Sequence, residues 1–331
     1  MTDPLEGLRD RGFLLAWDPM KEADLPEVAK LNEAIEHIDD TAERHSLGEL
    51  TEAVNQSRAD LGQIGVVGRD QRGSIVAFAL DLVQPRDRNP RRVKLIGGVH
   101  PAWRDNNIGH ALMEWQIAAA RRWDADTRRA HHGPLKLVAT ADANLIAIRD
   151  LYQDYGLVPE TWFVDAHRRF RPGEPPQLPQ LAAPLSLLPY PRAVADAVRV
   201  CHNEAFATVP GSKPIGPAEW DESTRRPGAA AELSWVVMAG SRVVAYAMNA
   251  VVDDGDEAVG WTDRLGVLPG WRGRGLARSV LQASIWSFHE RGLAGAGIGF
   301  DTDDPETVQR LTRAVGYENY DAVVAHALIV H

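Results

Sequence analysis

The chain has a single cysteine, Cys201, in 331 residues. An intrachain disulfide is therefore excluded, and the fold must close on packing and hydrogen bonds alone. Lysine is scarce too: five positions (Lys21, Lys30, Lys94, Lys136, Lys213) leave 31 arginines among the 36 basic residues. Against 46 acidic residues the formal net charge is −10, which argues against wholesale binding to nucleic acid or to an anionic membrane. Any anion site must be local. Long apolar runs are missing as well, since none approaches the ~20 residues that span a bilayer. The opening MTDPLEGLRDRG is acidic and polar, unlike a secretory signal, so a cytoplasmic protein is expected. His131 and His132 stand together without further ligands at metal spacing; a solvated loop is expected there, and no metal.

What remains is an ordinary globular composition, 44% hydrophobic and 25% charged, with length for two domains. Residues 171–184 read RPGEPPQLPQLAAP, with proline at five of fourteen positions. Such a stretch cannot hold a helix and suits an extended spacer. The expected division is 1–170, a linker at 171–184, and 185–331.

The halves repeat one another. VHPAWRDNNIGHAL (Val99–Leu112) lies on VLPGWRGRGLARSV (Val267–Val280), and ADANLIAIRDLYQDYGL (Ala141–Leu157) on DTDDPETVQRLTRAVGY (Asp301–Tyr317). The two blocks differ in offset by eight residues, which places an insertion at Thr127–Pro134. The second half reads strand (PLSLLP), helix (Arg192–Ala207), two strands joined by a tight Gly-Ser turn, a strand ending at Val267, and a helix from Gly275 to Arg291. A glycine-rich strand, a helix over Pro305–Val315 and a closing strand AVVAHALIV follow. Helices alternate with hairpins, so each half should be a mixed, mostly antiparallel α/β sheet flanked by helices rather than a doubly wound one.

Between the strand ending at Val267 and the next helix lies GWRGRGLA. Successive backbone N–H groups there can converge on one point, and the helix N-terminus adds partial positive charge. Gly273 and Gly275 remove the Cβ atoms that would hold a phosphate away, and Arg272, Arg274 and Arg278 can neutralise it. A pyrophosphate is the natural ligand. A Walker loop needs a Gly-Lys-Ser/Thr ending, and a dinucleotide fingerprint needs a third glycine where Arg278 stands; both fail.

Arg272-x-x-Gly275-x-Ala277, after LGVLP and before an amphipathic helix, resembles the pyrophosphate signature of GNAT acyl-CoA N-acyltransferases. TDDPETVQRLTRAVGY is similar to that family's later block, Asp-Asn-Pro followed by a helix ending Leu-Tyr. The resemblance covers most of both halves and implies a tandem GNAT chain of mycothiol synthase-like architecture. It implies acetyl-CoA or another acyl-CoA as co-substrate, with a pantetheine arm in a gap where the strand before the turn splays from its neighbour. The implied contacts are Val267, Leu268, Arg272, Gly273, Arg274, Gly275, Leu276, Ala277 and Asp304, with strand backbone near Val267–Leu268 polarising the thioester carbonyl.

Each half departs from the pattern somewhere. In the first, Asp105, Asn106 and Asn107 replace glycine and arginine, so Val99, Arg104, Gly109, Asn144 and Tyr152 are expected to form a vestigial second site in a structural domain. In the second, Asp304 replaces Asn, and Thr312 stands where the family often has a tyrosine that protonates the leaving thiolate. Tyr317 and Tyr320 are expected to serve the core. Direct attack needs a neutral amine, hence a base or a desolvating site. Counting back by twos from Val267 puts Leu265, Asp263 and Trp261 on one face. Asp263 is the first choice of base and Glu257 the second, the competing reading of Asp263 being an ion pair with a nearby arginine. The first-half strand RRVKLIGGV has no carboxylate, so catalysis is expected in the C-terminal half.

The expected activity is transfer of an acyl group to a small-molecule amine, by a monomer or homodimer, with the acceptor pocket between the halves or beside ATVPGSKPIGPAEW (207–220). A coenzyme A-binding sensor or assembly module without turnover is the competing class. Cys201 and His202 are expected to pack on a helix, PRDRNPRR (Pro85–Arg92) to be an exposed hairpin tip, and Trp103 and Trp271 to anchor the turns.

Overall fold

The computed structural model describes residues 4–11, 13–41, 44–57, 59–83, 89–209, 212–254 and 257–330, with only the backbone of Asp253, Asp254, Asn319 and Tyr320. The elements run α1 (Pro4–Arg9), β1 (Ala16–Pro19), α2 (Leu25–Asp39), α3 (Leu47–Ser57), α4 (Leu61–Ile64), β2 (Gly65–Arg69), β3 (Ile75–Val83), β4 (Arg91–Val99), α5 (Ile108–Thr127), β5 (Leu135–Asp142), α6 (Ile146–Asp154) and β6 (Val158–Arg169). They continue β7 (Leu185–Pro189), α7 (Ala195–Phe206), α8 (Pro217–Arg225), β8 (Trp235–Ala239), β9 (Arg242–Asp254), β10 (Glu257–Val267), α9 (Leu276–Glu290), β11 (Gly295–Thr302), α10 (Pro305–Arg313) and β12 (Asn319–Val330).

Two compact units form, and they do not divide at the proline-rich stretch. The first is Met1–Trp162 together with Ala322–His331; the second is Phe163–Asp321. AVVAHALIV, expected to close the second half, instead pairs antiparallel with β5 from Val323↔Asp142 to Val330↔Leu135. The physical reason is that alternation shows that a strand buries its faces, not which edge it completes. In return, β6 from Phe163 onward belongs to the second unit, where Phe170 N donates to Ala294 O at 3.0 Å and Arg168 reaches Val315 O at 2.7 Å. Residues 171–184 lie within that unit as irregular, mostly exposed chain.

The first unit orders its strands β1-β2-β3-β4-β5-β12 and the second β6-β11-β10-β9-β8-β7. The pairs β4·β5 and β10·β11 are parallel and flank the strand–turn–helix crossings; β1·β2, β2·β3, β3·β4, β7·β8, β8·β9 and β9·β10 are antiparallel. Helices cover the sheets. On α9, Leu276, Val280, Leu281, Ile285 and Phe288 are all buried, as their spacing predicts. The inserted eight residues are not mainly loop: α5 has 20 residues against 15 in α9, which takes up five, and the connection that follows holds the rest. No helix among the described residues is long and apolar enough to cross a membrane.

Two buried polar residues distinguish the first unit. Arg91, expected at an exposed hairpin tip, is buried in an ion pair with Asp124, bonds Thr127 Oγ1 at 2.6 Å and lies 4.1 Å from the Trp123 ring centroid. Residues 85–88 of that stretch lie outside the described residues. Asp81 on β3 is buried, which pushes its carboxyl well above the carboxylate range, the Gln116 side chain opposing. The equivalent place on β9 holds Asn249, whose Nδ2 donates to Leu233 O at 2.6 Å and Ser284 Oγ at 2.8 Å.

A raised carboxyl pKa means the folded chain keeps a proton that the unfolded chain releases above about pH 4. Stability then falls as pH rises from there toward the folded value. Asp81→Asn is expected to remove that cost. It should stabilise the first unit by on the order of 2 kcal/mol at pH 7, with the difference vanishing near pH 4. Urea unfolding at both pH values checks it; equal gains at both would remove Asp81 as the titrating group.

Candidate functional site

Both units build the same crossing from different residues. In the second, Pro269–Trp271 form one 3-10 turn, Arg272 is extended, Gly273 and Gly275 take φ of 73° and 77°, and α9 begins. In the first, Pro101–Trp103 form the turn, Arg104 is extended, and Asp105 and Asn107 take φ of 62° and 59° ahead of α5. Asp and Asn are the non-glycine residues that best tolerate left-handed backbone. The substitutions therefore preserve the turn's shape and change its charge and bulk.

The strands splay as expected. β10 pairs with β11 only at Gly260↔Ala296, Trp261↔Gly297 and Thr262↔Ile298, although β10 runs on to Val267 and β11 to Thr302. β4 leaves β5 after Leu95↔Ala139 in the same way. A gap opens beside each turn, with unpaired strand backbone along its wall. The helix N-terminus and left-handed turn suit a pyrophosphate and the gap an extended arm, so these residues fit coenzyme A.

The arginines divide by role. Arg272 donates to Ala205 O at 2.7 Å and to Val267 O at 3.4 Å, and Arg104 forms a two-pronged pair with Asp39 at 2.7 and 2.8 Å. Both tether the turn through these bonds, Arg104 half-buried and Arg272 exposed. Arg274 stacks on Trp271, 4.7 Å from the ring centroid, and Arg278 is exposed on the first turn of α9. Leu276 is buried and Ala277 half-buried, while Leu268 is buried with its N–H donating to Val244 O. Trp271 and Trp103 each pack against a core cluster.

Asp263 occupies a β-bulge. The pairing of β10 with β9 passes from Thr262↔Asn249 to Arg264↔Met248, leaving Asp263 without an opposite residue. The extra residue breaks the count by twos: Thr262 shares a face with Leu265 and Val267, whereas Trp261 lies on the other. Asp263 pairs with Arg226 and, with Ser223, Thr224, Arg264 and Asn249, lines a cavity of about 290 Å³. That cavity lies just past the expected acceptor loop, of which Pro210 and Gly211 fall outside the described residues. Glu257 is not brought to it. It begins β10, about 30 Å of strand from Val267, and is exposed beside Arg169.

Asp304 caps α10, its carboxylate accepting Thr307 N at 3.1 Å, and hydrogen bonding from the Thr307 side chain and then its backbone lowers the Asp304 pKa. Thr312 is buried and donates to Val308 O at 3.0 Å, so it presents nothing to a ligand. Tyr317 is buried in the core, as expected. Cys201 is buried with its thiol pushed up to about 12 by burial; His202 is lowered to about 4 by burial and meets Tyr246 Oη at 2.5 Å. His132 Nδ1 accepts Arg129 N at 3.1 Å within the connection after α5.

The first unit gathers four of the five residues expected to form a vestigial second site. A cavity of about 350 Å³ runs along its turn, lined by Val99, Arg104, Asn107, Gly109 and Tyr152. A second of about 360 Å³ adjoins it, sharing Ile35, Asp39, Leu95, Gly97, Ile148 and Tyr152. Asn144 is exposed just before α6 and lines neither. Tyr152 donates to Thr140 O at 3.2 Å; burial raises its pKa to about 12, so it stays protonated at neutral pH. Carboxylates absent from β4 come from elsewhere: Glu36 from α2 and Asp142 from β5.

Residues 199–317 match the acetyltransferase (GNAT) family. A mycothiol acetyltransferase of Nocardia farcinica is 29% identical over 271 residues, 77% of this chain and 80% of that one. A GCN5-related N-acetyltransferase from Sphaerobacter thermophilus superposes with TM-score 0.63 at 22% identity, over 96% of each chain. A tandem GNAT protein from the clavulanic acid biosynthesis pathway gives 0.52 at 16%, over 95% of this chain and 98% of that one. GNAT enzymes draw their acetyl group from acetyl-CoA and commonly act on small-molecule amines. The acetyltransferase (GNAT) match thus falls on residues 199–317, and over its whole length the chain has the fold of tandem GNAT proteins.

Proposed function

We propose that this protein transfers an acyl group, the acetyl group first among candidates, from coenzyme A to a small-molecule amine at the second unit. The observation that carries the reading is the departure of β10 from β11 after Thr262, ending in a turn with two left-handed glycines at a helix N-terminus. The turn takes the pyrophosphate, the gap takes the acyl-pantetheine arm, and the Val267 N–H, directed away from β9 since that of Leu268 is held by Val244 O, polarises the thioester carbonyl. The acceptor enters the cavity beside Asp263 and attacks directly. Asp263 holds or deprotonates the amine, with Arg226 fixing its carboxylate. With Thr312 buried, water protonates the departing thiolate, which is tolerable for a thiol of pKa ~8.5.

A second reading follows from the Nocardia similarity: the acceptor is the amine of a cysteinyl pseudodisaccharide, acetylated as by mycothiol synthase. The non-catalytic sensor is the third.

Calorimetric titration of acetyl-CoA into Gly275→Asp should show one site fewer than the native chain. Asp tolerates the left-handed geometry, so the carboxylate excludes the phosphates while the turn persists. Thiol release in an amine panel, the cysteinyl pseudodisaccharide included, then separates the readings. Binding with no release from any amine would leave the sensor; release that survives Asp263→Asn undiminished would remove Asp263 as base.

A further inference from the structure

We infer that the first unit is a second acetyl transfer site, with His45 as its general base and a small cationic amine as its acceptor. This rests on the acyl-CoA chemistry proposed above but places it where the sequence suggests only a remnant. Glu36, buried at the end of α2, gathers three donors on Oε1: Asn32 Nδ2 at 2.5 Å, the His45 backbone N at 3.0 Å and His45 Nδ1 at 3.0 Å. A carboxylate on Nδ1 fixes the tautomer that carries its proton there and leaves the Nε2 lone pair available. Glu36 is thus a positioning residue, and His45 the group that meets substrate.

The two cavities supply the remaining parts. The one along the turn ends at Tyr152, and the one that holds His45 begins there. Gly97 stands at the junction where the second unit has Leu265, whose side chain packs into the core. The charged and titratable groups facing the acceptor space are Glu36 and Asp39 from α2, Glu49 from α3, Lys94 from β4, Asp142 from β5 and Tyr152 from α6. Asp39 is neutralised by Arg104, but Glu36, Glu49 and Asp142 still outnumber the lysine, and Ala29, Leu50, Ala53 and Phe78 give an apolar wall. This lining attracts a protonated amine carried on a small, partly apolar body.

The step balances without a further reagent. The bound ammonium first gives one proton to water; the neutral nitrogen's lone pair then forms the C–N bond to the acyl carbon, and its second proton passes to His45 Nε2. The C–S bond breaks with its electron pair going to sulfur, where the Tyr152 hydroxyl, turning from Thr140 O, donates a hydrogen bond to the nascent thiolate. His45 returns its proton to water, and the thiolate takes one from water, giving amide and free thiol.

The test uses full-length Gly275→Asp, in which the second-unit turn is blocked. Amine-dependent thiol release from acetyl-CoA should persist there, and Gly109→Asp added to it should abolish both release and the remaining calorimetric site. His45→Gln in the Gly275→Asp chain should lower kcat about 100-fold with acetyl-CoA affinity unchanged, and should erase the acid limb of kcat/KM. Glu36→Gln should shift that limb with a smaller loss of kcat. His45 is half exposed, so its substitution leaves the fold intact. A native chain that turns over while Gly275→Asp is inert would overturn this inference alone, as would full kcat in the His45 variant. A native chain that acetylates no amine would overturn it together with the proposed function.

Discussion

A chain ending at Asp321 is expected to lose its first unit while keeping its second. β12 contributes eight residue pairs to β5, whose own Leu135, Leu137 and Ala139 are buried beneath the first-unit helices. Removing it strips the backbone partners from one edge of β5 and takes Val323, Val324, Ala325 and Ala327 from the core. Burial of such side chains contributes roughly 1–3 kcal/mol each, and the lost ladder adds about 1 kcal/mol per hydrogen bond. The sum reaches the whole 5–15 kcal/mol by which domains are stable. Amide exchange on the truncated chain should show β3, β4 and β5 unprotected and β8, β9 and β10 still slow. Slow exchange throughout β3–β5 would mean that the first sheet closes without its last strand. The truncation also bears on function. β12 places His326 edge-on to Tyr152, 5.4 Å between ring centroids, and Val323 in the wall of the acceptor cavity. Acetyl transfer at the first unit should vanish with the strand, before any catalytic residue is touched.

The strand–turn–helix crossing was legible because its constraints are local. A left-handed residue, a missing Cβ and a helix start each leave a mark within eight residues, and Val267–Leu276 carries all three. The mixed sheets were legible from hairpin signals and the one helical stripe of α9. Pairing over long distance left no such mark. Nothing in AVVAHALIV distinguishes a strand that closes its own unit from one that closes the other, and nothing in WTDRL announces that Asp263 is the bulged residue. The first-unit turn shows in the sequence as a remnant, but its base and acceptor cavity do not, for a different reason. Its carboxylates were sought on β4, by analogy with β10, whereas Glu36 lies about 60 residues upstream and His45 in the loop that follows α2. A base assembled from a helix and a loop follows no spacing rule. Asp105 and Asn107 were read by charge, as damage to a phosphate site; their backbone angles show that two residue types tolerant of positive φ keep the turn's geometry without glycine.

That same comparison predicts unequal costs for the arginines that open the two turns. Arg104→Ala should destabilise the first unit by about 3 kcal/mol, because it leaves the Asp39 carboxylate, 7% exposed, without its two-pronged partner. The figure sits at the low end for a broken ion pair because a third of the Arg104 side chain is exposed. Arg272→Ala removes hydrogen bonds to two carbonyls, Ala205 O and Val267 O, and should cost only about 1 kcal/mol. Adding Asp39→Asn to Arg104→Ala should recover more than half of the loss, since the buried charge goes with it; denaturant unfolding of the two single variants and the double measures that coupling. Were either arginine a phosphate ligand instead, its removal would leave stability alone and weaken acetyl-CoA binding strongly. A tether behaves in the opposite way: stability drops, and affinity follows only as far as the turn loosens. The expected split leaves phosphate neutralisation in the second unit to the exposed Arg278 and to Arg274, which rests on Trp271 and Gly270 O at 3.3 Å beside the turn. In the first unit, where Asn106 and His110 take those places, it leaves the phosphates to the backbone of the turn and the N-terminus of α5, so coenzyme A should bind there more weakly and with less dependence on salt.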